Sequence, residues 1–158
     1  MSHLISNNLI YMSYTNSLYH LVIRPKDSKP VITEKYERDL YAYINGLCKN
    51  NKCTLYRING MPDHLHMLME LSPTIALSDF VKELKLSTHQ FIKAHPSMYP
   101  SFEGWGREYF AVTYNYKDRE LVRQYIINQK EHHRTLSFKE ELRKLLIESG
   151  VPYKEEYL

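Results

Sequence analysis

The chain has 158 residues, 43% hydrophobic and 25% charged, with a net charge of +3. That composition fits one soluble domain with a real core and is too short for two ordinary ones. No apolar run approaches ~20 residues, so no membrane span is expected, and polar Met1 to Asn16 lacks the positive flank of a secretory signal, which makes a cytoplasmic protein the expectation.

In chain order, Ser17 to Arg24 predicts a first strand, broken by Pro25 to Pro30. Thr33 is the expected N-cap of a helix to about Asn50, with Tyr36, Leu40, Tyr43, Ile44 and Leu47 as its buried stripe. Cys48 and Cys53 have neither zinc nor redox spacing and read as reduced thiols without a special role. Thr54 to Asn59 predicts a second strand, Gly60 to Pro62 a turn, and His64 to Leu71 a third strand. A second helix starts near Ser78 and turns Phe80, Val81, Leu84, Phe91 and Ile92 inward. After a loop from His95 to Gly104, aromatic Trp105 to Tyr116 predicts the fourth strand, with core packing favoured over base stacking for its rings.

The order strand, helix, strand, strand, helix, strand defines an α+β, ferredoxin-like (RRM-like) antiparallel sheet with two helices on one face. Two more helices follow. One runs from Asp118, its expected N-cap, to about Arg134; the other opens with the capping-box pattern Ser137-Phe138-Lys139-Glu140 and stops before Gly150. A single domain over 1–158 is expected, with a core of about 11–135 and a C-terminal helix and tail over 136–158.

Strand periodicity then sorts the side chains. Leu65, Met67, Met69 and Leu71 should pack under the two helices, while His64, His66, Leu68 and Glu70 face the other way. On the neighbouring first strand Leu18, His20, Val22 and Arg24 share that second face. The helix bearing Tyr125 is the obvious cover for it. On that helix Tyr125 and Gln129 stand one turn apart.

Two imidazoles and an amide suit a weakly held divalent metal, Mg²⁺ or Mn²⁺, whose shell phosphate oxygens complete. A tyrosine beside such an ion can attack a phosphodiester. From Lys117 to Arg134 there are five Lys/Arg against three acids, a segment that suits a phosphate-rich substrate, or else an ordinary solvated helix face. His132 and His133 could approach DNA phosphates, add to the metal shell or end the helix favourably. His20 could orient a ligand or the substrate, or be an ordinary core or surface histidine.

Met61-Pro62-Asp63-His64-Leu65-His66, followed by Tyr125-Ile126-x-Asn128-Gln129-x-x-His132-His133, resembles the single-tyrosine transposases of the HUH class, the IS-two-hundred-like insertion-sequence enzymes. Tyr19-His20-Leu21-Val22 and Trp105-Gly106-x-x-Tyr109-Phe110 fit as well, so the resemblance covers roughly Tyr11 to Phe138. It implies a homodimer that binds single-stranded DNA hairpins at element ends, without a nucleotide cofactor. By position it makes Tyr125 the nucleophile that forms a 5′-phosphotyrosine, and His64, His66 and Gln129 the metal ligands. Arg123, Lys130, His132, His133, Arg134 and His20 are then the candidate DNA contacts. The bulky Thr113-Tyr114-Asn115-Tyr116 departs from the small, glycine-containing strand end of that family, and the Lys154-Glu155-Glu156 tail lies beyond it.

Three other readings remain open at this point. A domesticated relative would process chromosomal palindromes. A non-catalytic nucleic-acid module would need only the aromatic strand and basic helix. A small-molecule metal hydrolase would use His64, His66 and His132 or His133, with Glu70 the only convenient acid on that face.

Overall fold

The computed structural model describes residues 14–158, so the N-terminal reading falls largely outside the described residues. The elements run β1 (Leu18–Ile23), α1 (Glu37–Asn50), β2 (Thr54–Met61), β3 (His64–Glu70), α2 (Leu77–Lys93) and β4 (Phe110–Thr113). After them come α3 (Arg119–Ile127), α4 (Gln129–His132) and α5 (Phe138–Glu148). The strands lie in the order β2-β3-β1-β4 with antiparallel neighbours. This is the ferredoxin-like α+β arrangement, with β1 and β3 at its centre.

Alternation along the strands gives the sheet two differently covered faces. On one, Leu21, Ile23, Leu65, Met67, Met69 and Leu71 are buried with Leu40 and Ile44 of α1 and Phe80, Val81, Leu84 and Ile92 of α2. Each such side chain contributes about 1.5–3 kcal/mol when fully buried. On the other, Leu18 and Leu68 pack against Val122 and Ile126 of α3. Val22 and Phe110 pack there against Phe138, Leu142, Leu145 and Leu146 of α5. The face that holds the histidines is therefore roofed by two helices, α3 and α5.

Several boundaries differ from expectation, each for a local reason. Residues 33–36 close their own turn, with the Tyr36 N–H donating to the Thr33 carbonyl at 3.0 Å, so α1 starts at Glu37 and Thr33 does not cap it. β2 continues to Met61, which pairs with His64, and the turn shrinks to Pro62-Asp63. Only Phe110–Thr113 joins the ladder; Trp105 touches the sheet edge through one bridge to Pro25, and its indole N–H donates to Thr88 Oγ1 at 2.9 Å. Asp118 precedes α3 without a side-chain capping bond.

The helix expected to reach Arg134 breaks at Asn128 (φ −87°, ψ 14°). Asn59 on β2 accounts for this: its Nδ2 donates to the carbonyls of Ile126 (3.0 Å) and Ile127 (3.1 Å), occupying acceptors that a continuous helix would use. The capping box of α5 forms as expected, Ser137 and Glu140 each bonding the other's backbone N–H. Cys48 and Cys53 are free and buried, and burial pushes the Cys48 thiol up to about 12. Among the described residues no helix is long and apolar enough to cross a membrane.

Candidate active site

His64 and His66 project from β3 into the roofed face, and neither has exposed surface. Burial this complete demands partners for both ring nitrogens. His64 Nδ1 lies 2.7 Å from Asp63 Oδ1, and His66 Nδ1 lies 2.8 Å from Nε2 of buried His20. Between α4 and α5, His133 Nδ1 lies 2.6 Å from the Leu136 carbonyl. Each imidazole is thus tied by Nδ1, leaving Nε2 to point inward.

The three Nε2 atoms converge on one carboxylate oxygen. Glu141 Oε1 lies 2.9 Å from His66, 3.1 Å from His133 and 3.3 Å from His64. Its other oxygen, Oε2, accepts from the Tyr125 hydroxyl at 2.5 Å and from Gln129 Nε2 at 2.8 Å. Gln129 Oε1 closes the ring of contacts at 3.1 Å from His64 Nε2. The break at Asn128 leaves Tyr125 on α3 and Gln129 on α4, yet both still reach the same carboxylate.

These contacts set the charges. Burial works against a charge on His64, but its bonds to Asp63 and Glu141 outweigh that and bring it up to about 9. His66 has no acid on its outer nitrogen, and burial takes it down to about 4 against the pull of Glu141. Burial and neighbouring His66 hold His20 well below its usual range. Glu141 is 1% exposed, which alone would favour its neutral form, yet bonds from His133, His64 and His66 hold it ionised far below the usual carboxylate range. Burial and the Glu141 charge together raise the Tyr125 phenol well above its ordinary value. In this arrangement the phenol is held as a neutral donor.

The basic candidates scatter. Lys130 Nζ is bound to Glu37 Oε2 and the Gly60 carbonyl, both at 2.8 Å, which fixes α4 to β2 and α1. Arg123 pairs with Glu120 and exposed Arg134 with Glu131 within their own helical turns. His132 stacks on the Tyr125 ring at 4.8 Å, and its buried Nε2 has no hydrogen-bond partner among the described residues. His20, His64, His66, Tyr125, Gln129 and His133 are brought together; Arg123, Lys130 and Arg134 are outside that cluster.

Glu141 is the residue that sequence reasoning missed. It stands three residues after Phe138 and one before Leu142, on the buried side of α5. A carboxylate inside an apolar stripe was the available signal. Glu70, the acid expected on this face, instead accepts from the Ser17 backbone N–H at 2.6 Å at the other end of β3.

The donor set fits a divalent ion: His64, His133 and Glu141 offer ligand atoms within 4.8 Å of one another, with His66 and Gln129 adjoining. A phenol beside such a set, on a sheet face roofed by two helices, fits one class of protein: a DNA-processing enzyme.

The comparisons name the family within that class. Residues 13–129 match the family model described as "Transposase IS200 like", and the chain belongs to that transposase family. It is 27% identical over 117 residues to the ISDra2 transposase TnpA of Deinococcus radiodurans, covering 72% of this chain and 84% of that one. It is 27% identical over 120 residues to the transposase of insertion sequence element IS200 of Salmonella typhimurium, covering 73% and 78%. A crystal structure of a Deinococcus radiodurans protein described as a transposase superposes with a TM-score of 0.59 at 27% identity, covering 75% of this chain and 95% of that one. A REP-associated tyrosine transposase bound to a REP hairpin shares the fold, with a TM-score of 0.57 at 16% identity over 78% and 73% of the two chains.

Proposed function

We propose that this transposase cuts and rejoins single-stranded DNA at the hairpin-bearing ends of a mobile element, with Tyr125 as nucleophile. The observation that carries the reading is the convergence of the Tyr125 hydroxyl, Gln129 and both β3 histidines on one carboxylate, that of Glu141. A scissile phosphate brought beside that carboxylate would meet the phenol and the histidine cluster at once.

In this reading His64, His66 and Gln129 hold Mg²⁺ or Mn²⁺, which supplies Lewis-acid polarisation of the phosphate when bound. The phenol gives up its proton and its oxygen forms a bond to phosphorus as the bond to the 3′ oxygen breaks. The departing 3′ oxygen takes a proton, leaving a free 3′-OH and a 5′-phosphotyrosine. Reversal by another 3′-OH rejoins the strand, and one phosphodiester bond replaces another, so no nucleotide cofactor is consumed. His20 holds His66 in orientation, and Asp63 does the same for His64. Arg123 and Arg134, which lie outside the cluster and are paired only within their own helical turns, would meet the DNA backbone, with His132 beside the Tyr125 ring. Lys130 would join them only by leaving Glu37. The hairpin-bound relative supports the substrate class, and a homodimer is the proposed assembly.

The test mixes purified protein with labelled single-stranded DNA from the ends of its own locus, with Mg²⁺ or Mn²⁺, beside Tyr125→Phe on a denaturing gel. A metal-dependent band carrying covalently attached protein, absent in the variant, is the expected outcome. Hairpin binding without that band would favour a non-catalytic module, and cleavage retained in Tyr125→Phe would favour a hydrolase.

A further inference from the structure

We infer that Glu141 is itself a metal ligand, joined by His133, and that its second oxygen positions Tyr125 and Gln129 beside the ion. The inference rests on the metal-dependent reading above, and it adds two residues that lie beyond the segment matched by the family model, which ends at 129.

Four observations lead to it. First, all three imidazoles are anchored through Nδ1, to Asp63, His20 and the Leu136 carbonyl, so all three present Nε2 inward. Outer-atom anchoring of this kind orients histidines that bind metals, and His133 has it as fully as the β3 pair. Second, Glu141 Oε1 lies 2.9, 3.1 and 3.3 Å from the Nε2 atoms of His66, His133 and His64. Ligand atoms at bonds of about 2.0–2.2 Å to one ion sit roughly 3 Å from their neighbours. A small outward shift of the carboxylate would admit an ion among them.

Third, Glu141 is 1% exposed. A carboxylate so deeply buried needs compensating charge, and a divalent cation supplies more of it than a single imidazolium does. Fourth, its position is built. The Ser137–Glu140 capping box fixes the start of α5, and Phe138, Leu142, Leu145 and Leu146 dock that helix on Val22 and Phe110. Glu141 is carried into the site by that docking.

The two oxygens then divide the work. Oε1 faces the imidazoles, and Oε2 holds the Tyr125 hydroxyl and the Gln129 amide. One carboxylate thereby spans the metal position and the nucleophile. A set of imidazoles with one carboxylate also favours Mn²⁺ over Mg²⁺, since nitrogen donors suit the later ion better.

The opposite possibility is that the carboxylate only fills the space of the ion and competes with it. The two differ in sign. Mn²⁺ binding to the full chain is measured by the electron paramagnetic resonance signal of free Mn²⁺, for wild type, Glu141→Gln, Glu141→Asp and His64→Ala, without DNA. As a ligand, Glu141 requires Glu141→Gln to bind Mn²⁺ at least about tenfold more weakly than wild type. Glu141→Asp, which keeps the charge on a shorter arm, should fall between. Pulsed measurements that count bound imidazoles should find one fewer in His133→Ala. Equal or tighter Mn²⁺ binding by Glu141→Gln, while His64→Ala binds weakly, overturns this inference and leaves the histidine site standing. Unaltered binding in His64→Ala as well overturns both. If Glu141→Gln does not fold, judged by circular dichroism, Glu141→Asp decides by the same comparison.

Discussion

Asn59 Nδ2 on β2 lies 3.0 Å from the carbonyl oxygen of Ile126, one residue past Tyr125, and 3.1 Å from that of Ile127. This one carboxamide ends α3 and fixes the height of Tyr125 above the sheet. Asn59→Ala leaves two carbonyls near the helix end without their donor, and should destabilise the protein by about 1–3 kcal/mol in urea melts. Asn59→Asp should cost more, because it sets a carboxylate against those carbonyls. Unchanged stability in both variants would show that the break at Asn128 does not depend on this side chain.

Gly60 follows Asn59 in the strand, and there the constraint is steric. A Cβ at this position would lie 2.2 Å from the His64 backbone oxygen, a group that cannot turn aside. Gly60→Ala must push apart the hairpin that presents His64 to the site. Overpacking of this kind costs about 1–3 kcal/mol or more. Thermal melting should show the loss, and cleavage should fall further than stability alone explains. Wild-type melting with wild-type cleavage would mean that the hairpin yields without disturbing His64.

The legible parts of the fold are those that local periodicity governs. Alternation along β3 put Met67 with the α1–α2 core and His66 with Tyr125, and the structure keeps both assignments. The Ser137 capping box is likewise a contact between near neighbours. What sequence did not disclose comes from distant contacts. The break at Asn128 is made by Asn59, whose bond to the Ile126 carbonyl spans 67 positions, and the Glu141 bond to His66 spans 75. The fourth strand was overextended because aromatic content does not say which rings join the ladder; Trp105 is held by Thr88 on α2 instead.

Ser137→Ala tests how firmly α5 must be held. The substitution removes the acceptor of the Glu140 N–H, 3.3 Å away, and one partner of the Glu140 carboxylate. The loss should be about 1 kcal/mol, or roughly 2–4 °C in melting temperature for a chain of this size. Cleavage should weaken in step, since the same helix carries Glu141. A stability loss with no effect on cleavage would indicate that frayed α5 still places its carboxylate.

Gln129 touches the proposed metal position and not the exposed surface. Gln129→Ala should therefore raise the Mn²⁺ concentration needed for half-maximal cleavage by about 10–100-fold. Hairpin affinity measured without metal should stay near wild type. Equal losses in both would remove Gln129 from the ligand set and make it a DNA contact or a structural strut.

His66 is the most demanding case, because it serves two buried neighbours at once. Its Nδ1 faces His20 at 2.8 Å and its Nε2 faces Glu141 at 2.9 Å. A histidine on a bare, solvent-facing strand face could be removed with little harm to the fold. Truncation of His66, which has no exposed surface, instead leaves a void and two buried polar atoms short of a partner. His66→Ala should abolish cleavage and also lower the stability of the EDTA-treated protein by about 2 kcal/mol or more. EDTA separates this cost from any loss of bound metal. Far-ultraviolet circular dichroism should still report the wild-type fold at low temperature. If the EDTA-treated variant melts with wild type, the His20–His66–Glu141 chain contributes nothing to the metal-free protein, and its role is confined to binding the ion.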